Sequence, residues 1–179
     1  MMYKQLLNWY HKISREMPWR DTSDPYKIWV SEIMLQQTRV ETVIPYYITW
    51  IHKYPTIYDV HHESIDNLLK IWEGLGYYSR VKNFKESCDI ICSEYNGKIP
   101  QDYSEFIKFK GVGPYIASAV LSISFNKPLI AIDGNVNRVM SRYLSIDTNI
   151  KKSQKDISQY LLQQINHSSL GNFNQAMMD

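Results

Sequence analysis

Residues 110–120 read KGVGPYIASAV: two glycines and a proline ahead of a run of small apolar residues. Glycine tolerates positive φ and close approach of another molecule to the backbone, and proline suits the first position of a helix. Tyr103 to Phe109 before the turn and the apolar run after it both read as helices, the second with Ile116, Val120 and Ile123 on one face. A helix N-terminus offers unpaired N–H groups and a partial positive charge, so it attracts anions. The turn leaves two readings open. One is a plain corner with a glycine cap and a proline start. The other is a helix–hairpin–helix in which Lys110, Gly111, Val112 and Gly113 hold a nucleic-acid backbone without reading its sequence.

Outward from this turn, helical periodicity dominates. Leu6, Trp9, Tyr10 and Ile13 recur at helical spacing, followed by the turn-rich MPWRDTSDPY. One long helix is expected over about 28–52 and ends at Tyr54-Pro55-Thr56. Further helices are expected over 64–72 and 79–95, parted by Gly74-Leu75-Gly76, and another after Gly134-Asn135. Alternating patterns are scarce, so the class is all-α. The 179 residues, 44% apolar, suffice for one ordinary domain or two small lobes sharing a cleft.

Five Trp and fourteen Tyr are a heavy aromatic load, mostly for packing, and a net charge of +2 permits nucleic-acid binding without demanding it. No stretch has the length and apolarity of a membrane-spanning helix, and the amphipathic N-terminus carries no signal-peptide core. Two cysteines, Cys88 and Cys92, make no disulfide framework and are too few for a zinc or iron–sulfur site. These features predict a soluble, cytoplasmic protein, nucleoid-associated in a bacterium.

Longer motifs decide between the two readings of the turn. KGVGPYIASAVLSISFNKPLIAIDGNVNRVMSR at 110–142 resembles the helix–hairpin–helix, Gly/Pro-rich loop and aspartate of the base-excision DNA glycosylase superfamily. PWR at 18–20, DPYKIWVSEIMLQQTRVETVIPYY at 24–47, GLGYYSRVKN at 74–83 and FNQAMMD at 173–179 are similar to the adenine DNA glycosylases of the MutY type. The resemblance runs nearly end to end. It implies two helical lobes flanking a DNA-binding and catalytic cleft, with residues 1–179 as the catalytic region and the hairpin at about 103–124. The implied reaction is hydrolysis of the N-glycosidic bond of adenine mispaired with 8-oxoguanine or guanine in double-stranded DNA, by a monomer.

Breaking that bond asks for a proton on the leaving base and negative charge beside an oxocarbenium-like sugar. Glu32 sits among Trp29, Val30, Ile33, Met34 and Leu35. Facing a closed pocket, it would be kept protonated by desolvation. Asp133 precedes a helix whose N-terminus favours the carboxylate. Both match the superfamily's catalytic acid and cation-stabilising aspartate. Where related glycosylase/lyases carry a Schiff-base lysine, this chain has Tyr115, which implies a monofunctional enzyme with a phenol near the sugar. A buried adenine must be flipped out of the duplex. The resemblance assigns the wedge to Gln37 and Tyr77, the opposite-strand base to Thr38, and the adenine pocket to Trp19, Arg20 and Gln175.

The resemblance also implies a four-cysteine loop holding a [4Fe–4S] cluster after the FNQAMMD helix, then a domain that helps recognise 8-oxoguanine. This chain stops at Asp179. A shortened natural product, a fragmentary gene and a deliberate cut all fit. No cysteine-bound cofactor or metal site is expected in this chain, and the resemblance leaves room for a monovalent cation at the hairpin. The last helix, counted from an N-cap at Asn172, would span two turns and fray, holding Gln175 loosely. A DNA-binding remnant without turnover and another glycosylase of the superfamily are the alternatives, the lyase form disfavoured by Tyr115.

Overall fold

A computed structural model of the protein describes residues 2–146, 150–164 and 170–179. Among the described residues there are eleven helices and no strand: α1 (Met2–Ile13), α2 (Pro25–Leu35), α3 (Val40–Lys53), α4 (Ile57–His62), α5 (Ile65–Trp72), α6 (Ser79–Glu94), α7 (Tyr103–Phe106), α8 (Pro114–Phe125), α9 (Gly134–Tyr143), α10 (Ile150–Gln164) and α11 (Leu170–Met178). They are arranged around two apolar cores.

The larger core is built on α2 and α8, which pack along one another. α2 starts on a side-chain cap, Asp24 accepting from the Tyr26 amide at 2.9 Å, with Pro25 in the first turn. It has no solvent face over most of its length: Ile28 to Met34 are all buried. α8 is likewise buried from Ile116 to Ser122, so its apolar face is wider than the three-residue stripe expected. Around the pair the aromatic load interlocks edge to face, with Trp29 on Phe84 at 4.7 Å and Trp50 on Trp72 at 5.6 Å.

The smaller core joins Ile130, Val136, Met140, Ile157, Leu161, Leu170 and Phe173, with Tyr3, Leu6 and Leu7 of α1 against it. Three expectations are corrected here. α1 turns Leu6 and Tyr10 inward but leaves Trp9 and Ile13 exposed, because its partner α11 lies on the Tyr3–Leu7–Tyr10 side. The helix expected over 28–52 is broken at Gln36–Arg39, where Gln37 takes φ +57°. α4, short but closed by a capping box between Thr56 and Asp59, was not anticipated.

The last helix also differs from expectation. It begins at Leu170, whose amide donates to Asn126 Oδ1 at 3.1 Å, and it is docked rather than frayed. Gly171 lies so close to α8 that a Cβ would meet Ile123 Cα at 2.9 Å. Asn174, fully buried, accepts from the Ala131 amide and donates to Ser122 Oγ and the Leu129 carbonyl. That one side chain ties the loop before Asp133 to the end of α8.

Candidate active site

Two hollows meet where the cores adjoin, sharing Glu32, Leu35, Tyr115 and Asp133. The outer, about 490 Å³, is further lined by Gln36, Gln37, Tyr77, Ser79 and Arg80. The inner, about 280 Å³, joins an apolar part (Met17, Trp19, Ile28, Val40, Ile123, Met178) to polar residues that include Ser31, Thr38, Gln175, Arg15, Arg20 and Arg39. It lies near the small end of ligand-pocket sizes, of the order of one ring system rather than a large ligand.

Glu32 is the anomaly of the region: a carboxyl in the middle of a helix with no solvent face. Burial pushes its pKa up from 4.5 to about 7. A hydrogen bond with Tyr115 pulls it back, and the Asp133 charge adds a smaller push upward. Its Oε2 is buried with no hydrogen-bond partner among the described residues. Such an atom is costly unless something else is to meet it. The Tyr115 hydroxyl stands beside it, 2.9 Å from Met178 Sδ. Burial first, then the charge and hydrogen bond of Glu32, push this phenol well above its usual range. Tyr115 therefore stays a neutral hydrogen-bonding group.

Asp133 is placed otherwise. It is the N-cap of α9, its Oδ1 accepting from the Val136 amide at 2.7 Å, and Asn135 Nδ2 reaches Oδ2 at 3.3 Å. The two carboxyl groups thus occupy unequal environments, one desolvated and one bonded to a helix N-terminus. The lining of either hollow includes no lysine among the described residues.

The residues assigned to the pocket come together on the inner hollow. Trp19 lies edge-on to Tyr47 at 5.2 Å. Arg20 donates to the Arg15 carbonyl at 2.7 Å and to Asp179 Oδ2 at 2.9 Å. Burial would raise the Asp179 carboxyl, but hydrogen bonds from Arg20 and Arg15 outweigh it and hold the group low. Gln175 is held as well, Tyr10 donating to its Oε1 at 3.2 Å. Thr38 lines this hollow too, its hydroxyl 3.3 Å from the Gln36 carbonyl.

Gln37 and Tyr77 stand at the mouth of the outer hollow, both exposed, with φ +57° and +48°. Left-handed backbone in a non-glycine residue costs about 1–3 kcal/mol, and such residues cluster at functional sites. The hairpin turn presents Gly111 at φ +79° and Gly113 as the N-cap of α8, with open space where a Gly113 Cβ would be. Val112 packs into the larger core, so only its backbone faces outward. The Lys110 carbonyl accepts from Ser87 at 3.1 Å, and its ammonium is paired with Glu86.

Arg80 escaped the sequence reading, although a signal was there. A cation in the first turn of a helix opposes the dipole, and α6 has no acidic residue there to answer it. Among the described residues no group of three or more His, Cys, Asp or Glu could hold a metal ion. Cys88 is buried in the larger core with its thiol pushed well up by burial, and Cys92 lies against the Ile57 carbonyl. Two thiols so placed do not fit an iron–sulfur cluster, which takes four thiolates.

Comparison with known proteins bears on the family and the fold. Residues 30–167 match the HhH-GPD superfamily of base excision DNA repair proteins. The chain is 42% identical over its whole length to an adenine DNA glycosylase of Buchnera aphidicola subsp. Baizongia pistaciae, covering 51% of that protein. It is 37% identical over 97% of its length to the adenine DNA glycosylase of Homo sapiens, covering 34%. The chain thus spans about half, or less, of the curated relatives it matches. Among solved structures, a thermostable thymine-DNA glycosylase superposes with TM-score 0.87 at 25% identity, covering 99% of this chain and 83% of the other. An endonuclease III–DNA covalent intermediate superposes with TM-score 0.80 at 22% identity, covering 98% and 81%, a likeness of fold.

Proposed function

The chain belongs to the HhH-GPD superfamily of base excision DNA repair proteins, and from that premise we propose that residues 1–179 are the catalytic region of a monofunctional adenine DNA glycosylase. Its substrate is double-stranded DNA in which adenine is mispaired with 8-oxoguanine or guanine. The observation that carries the reading is Glu32, a desolvated acid with an unpartnered oxygen, on the lining of a hollow of about 280 Å³. The relatives' names supply the base.

In this reading the hairpin at Lys110–Gly113 holds the strand through its backbone amides, and Gln37 and Tyr77 enter the space the adenine leaves. The base occupies the inner hollow between Trp19, Gln175 and Glu32. Glu32 donates its proton to a ring nitrogen of adenine. The C1′–N9 bond breaks with its electron pair going to the base, and Asp133 offsets the positive charge on the sugar. Water adds at C1′ and its proton restores Glu32. Tyr115 lacks an amine, so no Schiff base forms and the strand stays intact at an abasic site.

Single-turnover assays on A:8-oxoguanine, A:G and A:T duplexes, each with and without alkali, test this. Free adenine from the two mispairs, with strand breaks only after alkali, is expected. No adenine from either mispair, or breaks without alkali, refutes the reading.

A further inference from the structure

We propose that Arg80 is a positioning residue that locks the Gln37 and Tyr77 loops into a single two-pronged wedge, so that opening of the duplex depends on its guanidinium. The inference rests on the function proposed above for what the wedge does, but the locking itself stands on geometry. Arg80 is buried, and its side chain bonds to both loops at once. Nη1 donates to the carbonyls of Ile33 at 2.9 Å, Met34 at 2.8 Å and Gln36 at 2.6 Å. Nη2 donates to the carbonyls of Leu75 and Gly76, each at 3.1 Å, and to Thr38 Oγ1 at 3.3 Å. Nε reaches the Tyr77 carbonyl at 3.4 Å, and the guanidinium lies 5.3 Å over the Trp72 ring and 5.4 Å from the Tyr77 ring.

The pattern answers two local problems together. α2 ends with no basic residue in its last turn, leaving carbonyls that its own sequence does not cap. Arg80, from α6, supplies that cap and the cation favoured at a helix C-terminus. The other edge of the same plane collects the carbonyls of the Gly74–Tyr77 loop. Each loop carries one non-glycine residue in the left-handed region, Gln37 or Tyr77 (the second loop also turns through Gly74 and Gly76), and these are the two side chains at the mouth of the outer hollow. A planar fork with five donors can serve both edges at once. A lysine, with three donors on one atom, cannot span them.

The test uses the full chain, Arg80→Lys and Arg80→Met, and a duplex carrying 2-aminopurine beside the target adenine. Unstacking on binding raises 2-aminopurine fluorescence. Arg80→Lys is expected to bind duplex within about threefold of wild type, because the hairpin amides are untouched. Its unstacking and its adenine excision should fall by roughly tenfold to a hundredfold per folded molecule, the scale of a misplaced working group. Losses that merely track the unfolded fraction would overturn the proposal. Should the variants fail to fold, amide exchange in the wild type decides. Thr38 and Leu75, whose amides bond to Leu35 and Trp72, should open as one unit, and independent opening of the two loops would overturn the lock. A wild-type chain that excises nothing refutes the proposed function, while the exchange result still judges the lock.

Discussion

Replacing Glu32 by glutamine keeps the shape of the side chain and removes its titration, which makes stability against pH a direct gauge of its desolvation. In the unfolded chain the carboxyl returns to its ordinary value of 4.5, whereas in the folded chain it is pushed up to about 7. The folded state therefore holds the proton more tightly. The stability this gives is fully present below about pH 4.5 and is lost as pH rises through about 7. At 1.36 kcal/mol per pH unit the full difference is roughly 3 kcal/mol, most of it between pH 5 and pH 8. The glutamine variant has no such term. Urea denaturation at pH 5, 6, 7 and 8 should show wild type losing about 2–3 kcal/mol relative to the variant across that range. Parallel curves would mean that Glu32 is solvated in the folded protein, and its role as the acid would fall with its burial.

Excision supplies the second half of the experiment. Only the protonated acid can donate, so the wild-type rate should fall as pH rises above about 7, the same value that governs stability. Glu32→Gln should lose about 10²–10⁴-fold while binding duplex normally. The two effects run in opposite directions, since towards pH 8 wild type loses stability relative to the variant while the variant stays the less active protein. A variant that retains near-normal excision would remove Glu32 from the reaction.

Asp133→Asn should leave stability within about 0.5 kcal/mol, because asparagine caps a helix as well as aspartate does, yet slow excision; an unchanged rate in a single-turnover assay would overturn the charge-stabilising role. Gly113→Val meets open space at a φ of −89°, so its cost in stability should stay near the ~1 kcal/mol of a weaker helix cap while duplex affinity falls. Gly111→Ala, by contrast, should cost about 1–2 kcal/mol of stability, since φ is +79° and the new Cβ would lie 3.3 Å from Asn83. Unchanged duplex affinity for Gly113→Val would restore the plain-corner reading of the turn. Tyr115→Lys should yield a borohydride-trapped adduct with an abasic duplex, and no trapped adduct would place this position out of reach of the sugar.

What the sequence disclosed was local chemistry. The helix class followed from periodicity and the Asp133 cap from an aspartate before Gly-Asn, whereas two glycines and a proline marked a turn whose reading as a hairpin rested on the longer motifs around it. Glu32, an acid among Trp29, Val30, Ile33, Met34 and Leu35, was legible through the motif that contains it, since its neighbours alone leave a surface glutamate open. What stayed hidden depended on partners distant in the chain. Nothing in VSEIMLQQTRVETV, which lacks both Gly and Pro, marks a helix end, so the break at Gln37 could not be read. The break becomes intelligible only when Arg80, 44 residues beyond Gln36, is seen to bond the carbonyls there. The docking of α11 was hidden in the same way. Its length argued for fraying, and the contacts that hold it, from Asn174 to α8 and from Asp179 to Arg15 and Arg20, belong to other parts of the chain.

The unequal settings of the two carboxyl groups follow from where the cores meet. Glu32 is carried by α2 inside the larger core, whereas Asp133 begins α9, whose Val136 and Met140 belong to the smaller one. Here one is buried by helices on every side, and the other keeps a helix N-terminus as its partner. Their separation is then set by how the two cores are fastened together. That fastening is polar as well as apolar: Asn174 bonds Ser122 at the end of α8, and also Leu129 and Ala131 in the chain leading to Asp133. Buried hydrogen bonds of this kind have narrow geometry, so they fix a distance where apolar packing would tolerate a slide. The FNQAMMD segment, in which the sequence offered Gln175 as a pocket edge, thereby also braces α8 against the chain leading to Asp133 through Asn174.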